Sequence, residues 1–250
     1  MPLLSKNQLK NLLSYKQSKV CDADSCFVVE GDKLCLEALT SGFTIRVVCA
    51  VFEWLQQHAA SLRAVDEVYQ VSDEQLSRLS SHKTPNQVWM LLQRRPYSAA
   101  AETAPLTLVL DRLQDPGNMG TILRTADWYG IRQIVCSLDT VSCYNPKVVQ
   151  ATMGAIFRTQ VTYTDLVPYL DTARSQGLPV YGAVLGGTNL YQSTLQHPAL
   201  LVIGNESRGI SDVVAAHLTH TLTIPNLGGT AESLNASVAA AILISEFFRV

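Results

Sequence analysis

The sequence has no apolar run long enough to cross a bilayer. Its most apolar stretch, 238–248, contains Ser245 and Glu246, whereas a membrane-spanning helix needs about 20 apolar residues. The first residues carry scattered lysines and lack the apolar core of a secretory signal. We therefore expect a cytoplasmic protein without a membrane segment. Its 47% hydrophobic and 16% charged residues are typical of an ordinary folded core.

The fingerprints of the common nucleotide and metal sites are also missing. No G-x-G-x-x-G and no G-x-x-x-x-G-K-[ST] occurs, which argues against a nicotinamide oxidoreductase and a P-loop enzyme. The six cysteines contain no C-x-x-C pair, so we expect reduced, mostly buried thiols and no metal site. A zinc site built on Cys21 and Cys26 is the weaker alternative. The pair His217 and His220 is interpreted as surface or capping histidines.

The sequence lacks an excess of either charge, with a net charge of −2. Two stretches, 1–20 and 75–95, nevertheless carry basic residues and no acid. These stretches either meet phosphates or are solvated helix faces, and charge alone does not decide between the two. Their basic residues are Lys6, Lys10, Lys16, Lys19, Arg78, Lys83, Arg94 and Arg95.

Hydrophobic periodicity divides the chain into two parts joined by an Ala- and Pro-rich linker at 96–105. Residues 1–95 are predicted to form a small αβα domain with strands at 26–30, 45–51, 67–71 and 87–92 and helices at 6–18, 32–41, 52–60 and 73–80. Residues 106–250 alternate apolar strands with helices, which predicts an α/β domain with a mostly parallel sheet and helices on both faces. Strands are predicted at 106–110, 133–136, 159–162, 179–184, 199–203 and 221–224, a helix at 119–129 after the first strand, and the closing helix at 233–248.

Three loops follow strands of this predicted sheet, where open α/β folds bind ligands. The first leads to Asn118 and places Arg124 on a helix, either as a functional cation or in a salt bridge with Asp127 or Glu206. The second, "GNESRG" at 204–209, presents Glu206 as a loop anchor or as an acid. In the third, two glycines precede Ser233, which we expect to cap the closing helix, and Asn235, which is expected to reach toward the other loops.

These loops resemble the three ordered motifs of the SpoU, or TrmH, family of RNA ribose 2′-O-methyltransferases. The match covers about 105–250, and "CFVVEGDKLCLEAL" at 26–39 is similar to the ribosomal-protein-like substrate-binding domain of many members. One departure lies before Ser233, where Asn226 and an additional glycine intervene. The motifs are Asn118-x-Gly120-x-x-x-Arg124-x-Ala126, Gly204-x-Glu206-x-x-Gly209, and Ile224-Pro225 with Ser233-Leu234-Asn235-x-Ser237.

The resemblance implies a deep trefoil knot in the C-terminal domain and bound S-adenosylmethionine. It also implies a homodimer formed through that domain, for which the apolar closing helix gives a separate hint. The implied cofactor-binding residues are Leu185, Gly186, Gly204, Ile224 and Leu234. The implied catalytic residues are Arg124, Asn118, Glu206, Ser233 and Asn235.

Attack of a ribose 2′-oxygen on a sulfonium methyl group removes positive charge, so alignment in a pocket of fixed dipoles suits the reaction. Arg124 is the implied catalytic cation, and we expect it to hold a phosphate or polarise the 2′-hydroxyl, since a guanidinium titrates above about 12. Ribosomal RNA is preferred over transfer RNA as the expected substrate. The alternative is a catalytically silent RNA-binding protein of the same fold.

Overall fold

The computed structural model describes residues 1–82, 84, 86–95 and 104–249. Lys83 and most of the predicted linker at 96–105 lie outside these residues. Backbone proximity divides the chain into two compact units. The N-terminal unit comprises Met1–Pro96 together with Tyr144–Phe157, and the C-terminal unit comprises Tyr97–Cys143 together with Arg158–Val250. No helix within the described ranges has the length and apolarity required to cross a membrane.

The N-terminal unit is built on a four-stranded sheet with the order β1-β4-β2-β3. Strand β4 runs antiparallel to β1 and β2, and β3 runs parallel to β2. Its strands are β1 (Cys26–Glu30), β2 (Ile45–Ala50), β3 (Glu67–Gln70) and β4 (Val88–Gln93). Its first helices are α1 (Lys6–Leu13), α2 (Ser18–Ala23), α3 (Asp32–Thr40), α4 (Phe52–Gln57) and α5 (Asp73–Leu79).

Helix α1 ends earlier than the 6–18 pattern predicts. A 3₁₀ turn follows it at Ser14–Lys16, and Gln17 is extended with ψ 122° before α2 begins. The start of α1, in contrast, is set by a capping box. The Ser5 side chain accepts from the Gln8 backbone N–H, and the Gln8 side chain accepts from the Ser5 backbone N–H. Hydrophobic periodicity therefore predicts a helix here but not the 3₁₀ turn that ends it.

The C-terminal unit contains a six-stranded, fully parallel sheet with the order β10-β8-β9-β5-β6-β7. This confirms the predicted α/β class. The strands are β5 (Leu106–Leu110), β6 (Gln133–Ser137), β7 (Gln160–Thr164), β8 (Val180–Asn189), β9 (Ala199–Ile203) and β10 (His220–Thr223). The remaining helices in chain order are α6 (Pro116–Trp128), α7 (Pro146–Thr152), which belongs to the N-terminal unit, α8 (Leu166–Ser175), α9 (Asp212–Ala215) and α10 (Ala236–Phe247).

The sheet reverses its strand order at β5. From β5 the chain continues to β6 on one side, whereas β9 lies on the other side. Loops that leave the carboxyl ends of two strands in opposite directions open a crevice between them, which is where such sheets bind ligands. The loops that follow β5 and β9 carry the first and second sequence motifs.

Strand β8 is longer than predicted and contains a loop. Gly182 pairs with Thr221 of β10, but the next pair joins Thr188 to Leu222, so residues 183–187 bulge from the ladder. A Cβ on Gly187 would lie 2.8 Å from the Thr221 carbonyl carbon. Only glycine permits this approach of the two backbones. The predicted cofactor residues Leu185 and Gly186 therefore lie in a bulge beside β10.

Residues 144–157 come from the methyltransferase-like part of the sequence but pack within the N-terminal unit. Helix α7 contacts β1. The ring of Tyr144 lies 4.7 Å from that of Phe27, and the ring of Phe157 lies 5.5 Å from that of Phe43. The compact unit is thus discontinuous in sequence, which a division of the chain at the linker does not anticipate.

Truncation of the chain to residues 104–250 is expected to cause aggregation. The truncated chain would expose the Tyr144 and Phe157 rings and the fully buried Val148, and exposed apolar surface of this kind promotes association. Light scattering of the purified fragment measures this. As the control, the same fragment with Tyr144→Ser, Val148→Ser and Phe157→Ser is expected to remain dispersed. Equal behaviour of the two fragments would contradict the packing.

Candidate active site

The carboxylate of Glu206 joins the loops that follow β5 and β9. It accepts hydrogen bonds from the backbone N–H of Asp115 at 3.0 Å and of Gln114 at 3.3 Å. Its Oε1 also accepts from the Asn118 Nδ2 at 3.1 Å. Of the two predicted roles of Glu206, this geometry supports the loop anchor, since its oxygens are occupied by donors of the opposite loop.

Asn118 connects this carboxylate to the third motif. Its side chain is buried, and its Oδ1 accepts from the Asn235 Nδ2 at 2.9 Å. The Asn118 position is fixed by the start of α6, where the Asp115 carboxylate accepts from the Asn118 backbone N–H at 2.7 Å and Pro116 occupies the first turn. Helix α6 therefore begins before the predicted residue 119, and Asn118 lies inside its first turn.

Asn235, not Ser233, caps the closing helix. Helix α10 begins at Ala236, and the Asn235 Oδ1 accepts from the backbone N–H of Ser237 at 2.9 Å and of Val238 at 3.3 Å. Ser233 is exposed and lies two residues before the cap. The prediction that Ser233 caps a helix over 233–248 is therefore wrong. Asparagine is as good a cap as serine, and the Asn118 bond selects Asn235.

A continuous hydrogen-bonded chain thus runs from Glu206 through Asn118 to Asn235 and the first turn of α10. We call it the Glu206–Asn118–Asn235 chain. It unites one residue from each of the three sequence motifs. The remaining candidates, Arg124 and Ser233, form no part of it.

The hydrogen bonds to Glu206 keep it ionised. Partial burial raises the pKa of its carboxyl group, but the bonds from Asn118 and from the backbone N–H groups of Glu206, Asp115 and Gln114 outweigh this and lower the pKa below its ordinary value. Glu206 is therefore a carboxylate at neutral pH. An ionised carboxylate held by donors is poorly suited to act as a general acid.

Arg124 lies on the exposed side of α6. Within the described ranges, its guanidinium forms no hydrogen bond or ion pair. Asp127, one predicted partner, binds Arg158 at 2.9 Å, and Glu206, the other, is occupied as described above. The structure therefore does not show the predicted salt bridges, and within the described residues Arg124 is a cation without a partner, six residues beyond Asn118 on α6.

The predicted cofactor residues lie in loops at the carboxyl edge of the sheet. Gly204 follows β9, where a Cβ would overlap the backbone of Gly209. Gly186 has φ 107° in the β8 bulge. Ile224 follows β10 and is half-buried, and Leu234 immediately precedes the cap of α10.

Asn226 organises the loop in which it lies, although the sequence identifies it only as a departure from the third family motif. Its Oδ1 accepts from the backbone N–H of Gly228 at 3.0 Å and of Gly229 at 2.7 Å, and its Nδ2 donates to the Gly229 carbonyl at 3.0 Å. The sequence Asn-x-Gly-Gly was the available signal, since asparagine side chains bond to backbone N–H groups two residues on. The additional residue of this loop is therefore folded into a local turn.

The β5 loop also contains Arg112, which sequence analysis did not select. It adopts φ 57°, and its Nε lies 3.5 Å from the carboxylate of the buried Asp111. The Asn205 side chain donates to the Arg112 carbonyl at 2.8 Å and accepts from the backbone N–H of Ser207 and Arg208. Asn205 thereby ties the second loop to the first. No sequence spacing signals a left-handed arginine.

The donor set at this edge suits a nucleoside ligand such as S-adenosylmethionine. Leu185, Leu227 and Leu234 are 77%, 94% and 47% exposed, although leucine side chains are normally buried. Exposed leucines on glycine-rich loops provide apolar cover and accessible backbone groups, the usual combination for a flat heterocycle. Within the described residues, no group of three or more His, Cys, Asp or Glu side chains is arranged to hold a metal ion.

Comparison with known proteins places this geometry in context. The model of the SpoU rRNA Methylase family matches residues 105–245, and that of the MRM3-like substrate binding domain matches residues 6–89. The 23S rRNA (guanosine(2553)-2′-O)-methyltransferase RlmP of Bacillus subtilis is 31% identical over 242 residues, which cover 96% of this chain and 96% of RlmP.

Two solved structures are similar over nearly the whole chain. A protein from Porphyromonas gingivalis, described as of the TrmH family of RNA methyltransferases, has a TM-score of 0.86 and 42% identity, and covers 99% of both chains. The AdoMet-bound rRNA methyltransferase from Sinorhizobium meliloti has a TM-score of 0.88 and 28% identity, and covers 100% of this chain and 97% of its own.

The Glu206→Gln variant is expected to be less stable than the wild type at pH 7 by about 1–3 kcal/mol, because charge-assisted hydrogen bonds are weakened. The folded-state pKa of Glu206 is lowered, so its contribution is complete above the unfolded pKa and is lost as pH falls through the folded pKa. The difference between the proteins should therefore shrink in acid. Urea unfolding at pH 7 and at pH 3 measures it.

The exposed Glu232 provides the matched control for this experiment. Glu232→Gln should unfold like the wild type at both pH values. If the deficit of Glu206→Gln were the same at pH 3 as at pH 7, the carboxylate would not be the group that holds the loops together.

Proposed function

Because the chain belongs to the SpoU rRNA methylase family, we propose that it is an S-adenosylmethionine-dependent enzyme that methylates a ribose 2′-hydroxyl in structured RNA. The Glu206–Asn118–Asn235 chain is the observation that carries the proposal, since it assembles the three motifs at one point of the sheet. The names of RlmP and of the Sinorhizobium meliloti protein favour ribosomal over transfer RNA. A ribosomal substrate also agrees with the cytoplasmic location expected from the sequence.

Bound S-adenosylmethionine supplies an electrophilic methyl group on a sulfonium centre. We assign its binding to the loops that contain the predicted cofactor residues, with backbone N–H and C=O groups as hydrogen-bonding partners and exposed leucines as cover. Asn226 keeps the 225–234 loop in one conformation, which lowers the entropy cost of binding. The residues assigned are Leu185, Gly186, Gly204, Ile224 and Leu234.

Arg124 is assigned to the RNA side of the site. Its guanidinium has no described partner and lies on the exposed side of α6, so it is available to hold a phosphate or to polarise the 2′-hydroxyl. We assign no proton abstraction to Arg124, because a guanidinium presents N–H donors and no acceptor. Asn118, Glu206 and Asn235 position the loops around the reacting groups, and the exposed Ser233 faces no described partner and is assigned to the substrate side.

The path of residues 224–235 supports the implied knot. Strand β10 lies at the edge of the sheet and is separated from β5 by β8 and β9. Asn235 nevertheless binds Asn118, which follows β5. The intervening segment therefore crosses the ends of β8 and β9 before α10 begins. A crossing of this kind is what a trefoil knot requires, although chains rarely adopt one.

We assign RNA binding to residues 1–95, which include the match to a substrate binding domain. The first basic stretch supports this, because Lys6, Lys10, Lys16 and Lys19 are all exposed. The second basic stretch gives weaker support for RNA binding, because two of its arginines already have partners. The Arg94 guanidinium binds Asp22 at 2.7 Å and lies over the Tyr144 ring, and Arg95 lies 3.9 Å over the Phe43 ring.

A homodimer through the C-terminal unit completes the proposal. Tyr129 covers one side of α10, with its ring 5.6 Å from that of Phe248. Trp128, Leu234 and Val238 remain 86%, 47% and 46% exposed. We propose that these apolar side chains, at the end of α6 and at the start of α10, belong to the apolar patch that a twofold partner covers.

Loss of the protein is expected to remove 2′-O-methylation at a defined ribosomal nucleotide. Expression of the wild type should restore the modification, and Arg124→Ala should not, because the RNA ribose would no longer be oriented. Mapping of 2′-O-methyl groups across total RNA measures this. Calorimetry of purified Arg124→Ala should give an S-adenosylmethionine affinity within a few-fold of wild type.

Arg174→Ala is the matched control, since Arg174 is an exposed arginine on α8. It should restore methylation fully. Unchanged methylation patterns in the deletion strain, together with RNA binding by the protein, would point to the catalytically silent alternative. Full activity of Arg124→Ala would overturn only the assigned role of the arginine.

The dimer predicts a mass of twice 27.3 kDa at micromolar concentration. Val238→Glu should shift the equilibrium to the monomer, because it places a charge within the apolar patch. Sedimentation equilibrium distinguishes the two species. Val213→Glu, at a 63% exposed valine on α9, should leave the dimer intact. A wild-type monomer would exclude a shared active site.

A further inference from the structure

The N-terminal unit contains a cavity of about 270 Å³ that the three motifs do not use. It lies where β1 passes into α3, and its wall is completed by Asn86 ahead of β4 and by Gln150 and Met153 of the 144–157 segment. The volume is just below that of pockets for drug-sized ligands. It therefore has room for a small planar group.

Two side-chain amides at the cavity indicate a ligand that both donates and accepts hydrogen bonds. Within the part of the chain that the structure describes, the side chains of Asn86 and Gln150 have no hydrogen-bond partner. The Asn86 Nδ2 lies only 3.1 Å from where a Cβ on Gly31 would be, and Gly31 has φ 96°. Because residue 31 is a glycine and has no Cβ, the Asn86 amide can lie at the cavity.

A carboxylate and an apolar surface complete the lining. The Asp32 Oδ1 accepts from the Trp54 indole N–H at 2.6 Å, which fixes the carboxylate and leaves its second oxygen as an acceptor. Met153 is 41% exposed and adopts φ 49°, an uncommon conformation for a non-glycine residue. Its thioether is well suited to lie against a ring.

The charge at this cavity argues against a phosphate ligand. Glu30, Asp32 and Glu37 line it, with Lys33 as the basic residue among its lining. Carboxylates repel phosphate but accept hydrogen bonds from the amino and imino groups of bases. Amide side chains donate to and accept from base edges as well.

We propose that this cavity receives one unpaired nucleobase of the substrate RNA, read by the Asn86 and Gln150 amides and the Asp32 carboxylate. Single-stranded bases that are splayed out and bound on their edges are the usual basis of sequence-specific RNA recognition. The inference rests on the proposed function for the identity of the ligand. It assigns base selection to the N-terminal unit, separately from the general attraction of phosphates by exposed lysines.

The test compares the full-length wild type with the double variant Asn86→Ala/Gln150→Ala. The probe is deproteinised ribosomal RNA from cells that lack this protein, and filter binding is measured over a series of salt concentrations. The double variant should bind about tenfold more weakly, as expected for the loss of one or two hydrogen bonds. The slope of affinity against salt should be unchanged, because amides release no counterions from phosphates.

Gln56→Ala/Gln57→Ala is the matched control, since both glutamines are exposed on α4 of the same unit. It should bind RNA like the wild type. Base-specific chemical probing should show one unpaired base protected by the wild type and not by the cavity variant. S-adenosylmethionine affinity should be equal in all three proteins.

The outcomes separate the two proposals. If the wild type methylates this RNA and the cavity variant keeps its affinity, the cavity inference is wrong and the proposed function stands. A reduced salt slope in the variant would indicate phosphate contacts and would also overturn base recognition. If the wild type neither binds nor methylates the RNA, the proposed function fails with it.

Discussion

The hydrogen bond between Asn118 and Asn235 is the interaction on which the site depends. It joins the first turn of α6 to the cap of α10, so that two helix starts are held by one contact. The Asn118 amide uses both of its ends, because Nδ2 donates to Glu206 while Oδ1 accepts from Asn235. Neither aspartate nor leucine offers both a donor and an acceptor in this space. The requirement for asparagine at both positions is therefore chemical, independent of family resemblance.

The parallel sheet explains why these polar groups meet at one edge. All six strands point in the same direction, and the central strands β5, β6 and β9 are mostly apolar and buried. Most polar side chains near these central strands consequently lie in the loops beyond them. Glycines at 187 and 204 then allow these loops to approach other backbone segments closely. The desolvation cost of burying these polar groups is limited, because each buried group in the Glu206–Asn118–Asn235 chain has a hydrogen-bond partner.

Local pattern was sufficient for most of the fold, and the failures have identifiable causes. Strands β5 and β9 begin and end where their apolar runs predict, since a buried parallel strand has little else to specify it. The start of α10 was misplaced because serine and asparagine cap equally well, and the choice depends on Asn118, which is distant in sequence. The placement of 144–157 in the N-terminal unit was missed for the same reason, as tertiary contacts to β1 leave no periodic signal.

The crossing of residues 224–235 has a consequence for the time at which the site becomes available. Asn118 and Asn235 are separated by 117 positions, and synthesis of that length takes on the order of ten seconds. During most of this time Asn118 lacks both of its partners, since Glu206 follows it by 88 positions and Asn235 by 117. A chain that is still being translated is therefore surrounded by ribosomal RNA but has no assembled site. The path of the chain therefore delays assembly of the site until Asn235 has been synthesised.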